Sequence, residues 1–137
     1  MNYKHYSLLL LAGIIYFNTA LAQPRLTDQG VVGGGAEDEL TSMYLTKDGG
    51  LIVGGYSNSD SSAQKTEDRR RYYDYWVVKL DSNHNIEWDK TIGGSDYDYL
   101  YALQQTSDGG YIIGGWSNSN ISGEKTQKRK GEVITGL

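Results

Sequence analysis

Two tetrapeptides, Ser62-Ala63-Gln64-Lys65 and Ser122-Gly123-Glu124-Lys125, combine a serine hydroxyl with a lysine amine at the Ser-x-x-Lys spacing used for nucleophilic acyl transfer. That chemistry needs companion Ser-Asp-Asn and Lys-Thr-Gly elements, and the chain contains neither, so both motifs read as loop residues. Gly55-Tyr56-Ser57 and Gly115-Trp116-Ser117 begin like a nucleophile elbow but lack its second glycine. A serine triad would further depend on His84, which lies in a polar hairpin turn and reads as a solvated turn residue. Asp81-x-Asn83-x-Asn85 imitates the start of a calcium loop, yet Ile86 stands where the loop needs glycine and Ile92 where it needs a bidentate glutamate. Asp and Asn are therefore expected to act there as turn formers. The sequence points to no catalytic residue, no cofactor and no metal site.

Binding chemistry has more candidates. Asp38, Asp96 and Asp98 follow Gly-Gly pairs and either ligate calcium or accept loop amides, with amide bonding the expected role. Arg69-Arg70-Arg71 beside Glu67 and Asp68 either binds an anionic polymer or is solvated loop charge, the latter being the expected role. Tyr97, Tyr99, Tyr101, Tyr111 and Trp116 offer flat apolar faces with polar tips, the equipment for stacking on sugar rings. Trp116, Tyr111 and Tyr99 form the candidate glycan-stacking set, and packing between sheets accounts for the same residues equally well. Asn120-Ile121-Ser122 is an acceptor-type glycosylation sequon.

These residues sit on a repeat. Gly33 to Thr66 aligns without gaps on Gly93 to Thr126, 60 residues later, with 17 of 34 pairs identical. Such a period marks a repeat architecture, whose units bury their apolar surface by packing on one another. Within a unit, residues 40–46 and 51–57 flank Asp48-Gly49-Gly50, a hairpin signal because glycine supplies the positive φ of tight turns. Residues 72–80 and 86–92 flank Asp81 to Asn85 as a second hairpin, giving four strands per unit. Around Tyr75 to Leu80 both alternating faces are apolar, as expected of a sheet covered on both sides. The pairs Gly54-Gly55 and Gly114-Gly115 are assigned to close packing between units. The expected fold is all-β, with antiparallel four-stranded blade-like units, propeller-like in preference to a β-solenoid or an open stack of hairpins.

Residues 1–22 carry a short basic start, an apolar run from Tyr6 to Phe17 and Ala20-Leu21-Ala22 before Gln23, the layout of a signal peptide. Its 12-residue apolar run is too short to span a bilayer as a helix. Removing 22 of 137 residues leaves 115, enough for one small domain, and removing Lys4 takes the formal net charge from -4 to -5. An acidic chain lacks the basic stripe of a nucleic-acid binder. With no cysteine, an exported chain of this kind relies on packing instead of disulfides.

The segments YDYWVVKLDSNHNIEWDKTIGG and DYLYALQQTSDGGYIIGGWSNSNISGEKT resemble the tandem repeats of exported Bacteroidota proteins, many of which end in a type IX secretion sorting domain. The resemblance runs from about Val31 to Thr126 and implies secretion or surface display, outside the cell or at the outer membrane, without implying one activity. Where such repeats carry Asn-Gly-Asn, this chain has Asn83-His84-Asn85, which places His84 in a strained turn position. Adding 60 to residues 72–77 lands on EVITGL, 132–137, which shares nothing with YYDYWV. The second unit is therefore expected to lose its outer hairpin, and the chain reads as a truncated fragment. The resulting layout is a signal peptide at 1–22, a lead-in at 23–32, repeat unit 1 at 33–92, an incomplete unit 2 at 93–126 and a divergent tail at 127–137. The functional expectation is a non-enzymatic exported scaffold for surface binding or adhesion. Its partners would be a surface glycan or protein, with self-association through exposed blade edges and no integral membrane segment after signal cleavage. The alternative is a non-catalytic portion of a secreted glycan-active or hydrolytic enzyme.

Overall fold

A computed structural model describes residues 30–128 and 131–136. The expected signal peptide and most of the lead-in lie outside the described residues. All regular structure described is β. Strands β1 (Asp38–Leu45), β2 (Leu51–Ser57), β3 (Asp74–Leu80) and β4 (Ile86–Ile92) form one antiparallel meander, and β5 (Asp98–Gln105), β6 (Tyr111–Ser117) and β7 (Gly131–Gly136) form a second. The fold is thus an all-β pair of blade-like sheets that does not close on itself. Among the described residues, no helix is long and apolar enough to cross a membrane.

The turns follow from local chemistry. Gly49 and Gly109 adopt φ of 82° and 93°, and Asp48 and Asp108 accept the amides of Gly50 and Gly110 at 3.0 and 3.2 Å. In the β3–β4 turn, Asp81 Oδ1 accepts the amides of Asn83 and Asn85, each at 2.8 Å, and His84 takes a φ of 65°. A non-glycine residue in that left-handed region is sterically disfavoured, so His84 does hold the strained position anticipated from the sequence.

The tail departs from expectation. Residues 131–136 pair with β6 as β3 pairs with β2: Ser117 lies opposite Gly131 as Ser57 lies opposite Asp74, and Gly114 opposite Ile134 as Gly54 lies opposite Val77. The connection from β6 is three residues shorter than that from β2, because 131 minus 117 is 14 whereas 74 minus 57 is 17. Matching at a fixed offset of 60 therefore misses a third strand that backbone pairing supplies.

The two sheets pack face to face. Leu100, Leu103 and Ile113 of the second sheet meet Ile52, Tyr75, Val77 and Ile92 of the first in one buried cluster. A Cβ at Gly54 would lie 3.1 Å from Leu103 and 3.3 Å from Leu100, so its bare backbone admits these side chains. Polar clamps flank the apolar contact: Thr41 Oγ1 donates to the Leu100 carbonyl at 2.6 Å, Lys47 Nζ donates to the Ser107 carbonyl at 2.6 Å, and Arg70 pairs with Glu124. Gly55 and Gly115 serve a different need. Each faces a bulge in the neighbouring strand, between Leu40 and Ser42 or between Leu100 and Ala102, where a Cβ would run into the carbonyl oxygen of Glu39 or Tyr99. Packing between units accounts for the first glycine of the Gly54-Gly55 pair, and the bulge accounts for the second.

Candidate functional site

The loops that follow β2 and β6 fold back over the Gly-Gly segments that open each unit, and short polar side chains fix them there. Asp38 accepts the Gly34 amide at 2.6 Å, while Ser59 Oγ donates to Asp38 at 3.1 Å and accepts the Ala36 amide at 2.9 Å. The second unit repeats this: Asp98 accepts the Gly94 amide and the Ser119 hydroxyl, each at 2.8 Å, and Ser119 accepts the Asp96 amide at 2.9 Å. Asp38 and Asp98 thus bond loop amides, the role expected of them, and Asp96 bonds Asn118 Nδ2 at 2.8 Å. Ser119 is fully buried and bonded on both sides. Ser119→Ala is expected to cost about 1–3 kcal/mol, because it leaves the Asp96 amide without its acceptor and removes one of the two donors to the buried Asp98 carboxylate. A urea unfolding curve of the variant measures this.

The candidates for nucleophilic chemistry are dispersed by the same construction. Ser62 and Lys65 exchange backbone hydrogen bonds at 3.0 and 2.9 Å, but their side chains part. Ser62 Oγ accepts the Gly35 amide at 2.7 Å, whereas Lys65 Nζ turns into the sheet to reach Thr91 Oγ1 at 2.6 Å and the Glu67 carbonyl. Burial pushes the Lys65 ammonium below its ordinary pKa. Lys125 likewise donates to Ser117 Oγ at 2.6 Å. Ser57 is buried and sits at the end of β2 paired with Asp74, while His84 lies beyond Leu80 at the other end of β3. Six residues of strand put about 20 Å between those ends. Among the described residues, no group of three or more His, Asp or Glu side chains is placed to hold a metal ion.

What does converge is aromatic. Tyr72 and Tyr73 precede β3, Tyr97 precedes β5, Tyr99 lies on β5, Trp116 on β6 and Tyr56 on β2, and the stacking of the sheets brings all six together. Tyr72 stacks on Tyr97 with centroids 4.6 Å apart and planes 6° from parallel, Tyr97 on Tyr99 at 6.0 Å, and Tyr99 on Trp116 at 5.7 Å. Tyr73 lies 5.6 Å from Tyr99, and Tyr56 meets Tyr99 edge-on at 4.6 Å. The Arg71 guanidinium sits 5.2 Å from the centre of Tyr72 and continues the row. Tyr73 donates its hydroxyl to Glu37, which pushes its pKa up to about 12. Tyr72 and Tyr97 are exposed, and the rest of the row is partly buried.

Of the sequence-derived set, Trp116 and Tyr99 are in contact and Tyr111 is elsewhere. Tyr111 opens β6 five residues before Trp116, about 17 Å along the strand, where it packs on the inter-sheet core and meets Trp88 at 5.9 Å. Tyr101 is exposed at the bulge, outside the row. Sequence reasoning missed Tyr72 and Tyr73, which it placed within a strand at 72–80 although β3 begins at Asp74, and it read Arg71 as solvated charge. The available signal was their position beside the arginine triplet, of which Arg69 bonds the Asn58 carbonyl, Arg70 pairs with Glu124 and Arg71 joins the row. A scan against protein-family models matches none, and a search of curated proteins returns no match.

Proposed function

We propose that this chain is a non-enzymatic exported repeat protein, a propeller-like scaffold for surface binding or adhesion of the kind its repeats resemble in Bacteroidota secretion. The aromatic row carries this reading. Residues from both units build it, it exists only where the two sheets stack, and it ends in exposed tyrosines beside a guanidinium. Flat apolar faces with hydroxyl and cationic rims suit the ring faces and hydroxyls of surface glycans. The serines and lysines that imitate an acyl-transfer site are held in structural bonds, which favours a binding role over a catalytic one.

A glycan array probed with the purified chain, with Trp116→Ala and Tyr72→Ala as controls, tests the proposal. A bound glycan should lose about tenfold in affinity on loss of one stacking ring, the equivalent of about 1.4 kcal/mol. Binding that neither substitution changes would remove the row from the contact surface.

A further inference from the structure

The repeat allows the same position to be compared when covered and when open. Leu100 and Leu103 are 0% and 7% exposed where the second sheet lies on the first, while their counterparts 60 residues earlier, Leu40 and Met43, are 62% and 61% exposed. The opposite surface shows the reverse: Ile52 is 0% exposed under the second sheet, and its counterpart Ile112 is 41% exposed. Each sheet therefore has a knob face and a socket face. Among the described residues, the contact between the sheets is made by the socket of the first and the knobs of the second.

The knob face of the first sheet is largely apolar, with Asp38, Glu39 and His84 also lining its groove. Leu40 and Met43 flank a groove of about 650 Å³ lined by Val53, Trp76, Val78 and Leu80, and the chain's own Val32 packs on the last three of these while leaving Leu40 and Met43 exposed. The socket of the second sheet keeps part of what makes the first one work, with Glu132 at the register position of Tyr75 and no described strand in the place of the one that carries Ile92. Gly114 stands where Gly54 admits the two leucines, Ile112 stands where Ile52 lies, and the backbone register gives Ile134 the place of Val77 opposite that glycine. Among the described residues, an interface already formed within the chain thus has its knobs and the glycine-centred part of its socket repeated and exposed at the two ends.

We propose that copies of this chain stack head to tail, the Leu40–Met43 face of one docking on the Ile112–Gly114 face of the next. The contact is heterologous, so it propagates into rings or open stacks instead of stopping at a dimer. It is a face contact, distinct from strand pairing at sheet edges, and it does not depend on what the aromatic row binds. The polar clamps are not repeated: Lys47, which grips the Ser107 carbonyl, is replaced at the equivalent position by Ser107 itself. Association is therefore weaker between copies than within one chain.

Sedimentation velocity on the purified chain tests this across a wide concentration range, with Met43→Glu, Leu40→Glu and Ile112→Glu as variants. All three positions are exposed, and circular dichroism on each variant verifies the fold. The wild-type mass should rise with concentration past the dimer, and each variant alone should remain monomeric. An equimolar mixture of Met43→Glu with Ile112→Glu should form a dimer and nothing larger, because each supplies the one face the other lacks. Any of three results overturns the proposal: a wild-type chain monomeric throughout, assembly that survives in the variants as edge pairing would, or an Ile112→Glu chain that dimerises alone as a symmetric knob-to-knob contact would.

Discussion

Gly115→Ala is expected to destabilise the chain by about 3 kcal/mol, the upper end of what a forced extra methyl costs in a packed site. Gly115 stands opposite Leu100 where β5 bulges, and a Cβ there would run into the Tyr99 carbonyl oxygen. Backbone cannot swing aside as a side chain can, so the bulge must move. The same methyl would lie 2.8 Å from the buried Tyr75 hydroxyl of the first sheet, so the bulge has little room to relax toward the interface. Gly109→Ala is the internal comparison: its φ of 93° disfavours alanine, but nothing lies within 4 Å of the added atom. It should cost about 1–2 kcal/mol, the penalty of the left-handed region alone. Urea denaturation of both variants gives the order, and a Gly115→Ala chain as stable as Gly109→Ala would show that the bulge is not rigid. Because Gly115 touches both the strand beside it and the sheet below it, its loss should also loosen the row in which Tyr99 stacks on Trp116.

The elements that were legible in the sequence are those whose signal is local or repeated. The Asp-Gly-Gly turns name their own backbone geometry, and the offset of 60 residues carries β1 onto β5 and β2 onto β6. The aspartates at 38 and 98 were readable as loop anchors because a position that recurs with the architecture belongs to it. The third strand of the second sheet was not readable, since backbone pairing constrains side-chain identity weakly and a connection three residues shorter hides it from a fixed offset. The binding row was half legible. Trp116 and Tyr99 are cross-strand partners on adjacent strands of one unit, a relation implicit in hairpin register. Tyr56, Tyr72 and Tyr73 reach the rings of the second unit only across the stacked sheets, and no pattern in one unit reports a contact made by two. Tyr111 was misplaced for the complementary reason: residue type suggested a platform, while its position at the far end of β6 set it apart.

The largest pH effect should come from Asp74. Its side chain is fully buried beside Gly93, Oδ2 accepts the Arg70 amide at 2.5 Å, and Oδ1 has no partner. Desolvation raises its pKa from 3.8 to about 6, and the nearby Asp98 charge adds to the rise. For an acid shifted upward, the folded state is penalised once the group must ionise. Below about pH 4 Asp74 is protonated in both states and nothing is lost. Between about pH 4 and 6 the unfolded chain releases the proton while the folded chain holds it, so stability falls as pH rises, and above about pH 6 the loss is complete. A shift from 3.8 to about 6 corresponds to at most about 3 kcal/mol. Asp74→Asn keeps the shape and cannot ionise, so the stability of the variant relative to wild type should rise by up to that amount between about pH 4 and pH 8. Asp89 and Glu124 are held below their ordinary pKa by hydrogen bonds to Thr66 and Arg70, and they favour the folded state at higher pH. They are common to both chains and cancel in the difference. Urea unfolding of the two proteins at several pH values measures it. A difference that stays flat across that range would mean that the carboxylate ionises as readily in the fold as in the unfolded chain, and that solvent or an ordered donor reaches Oδ1.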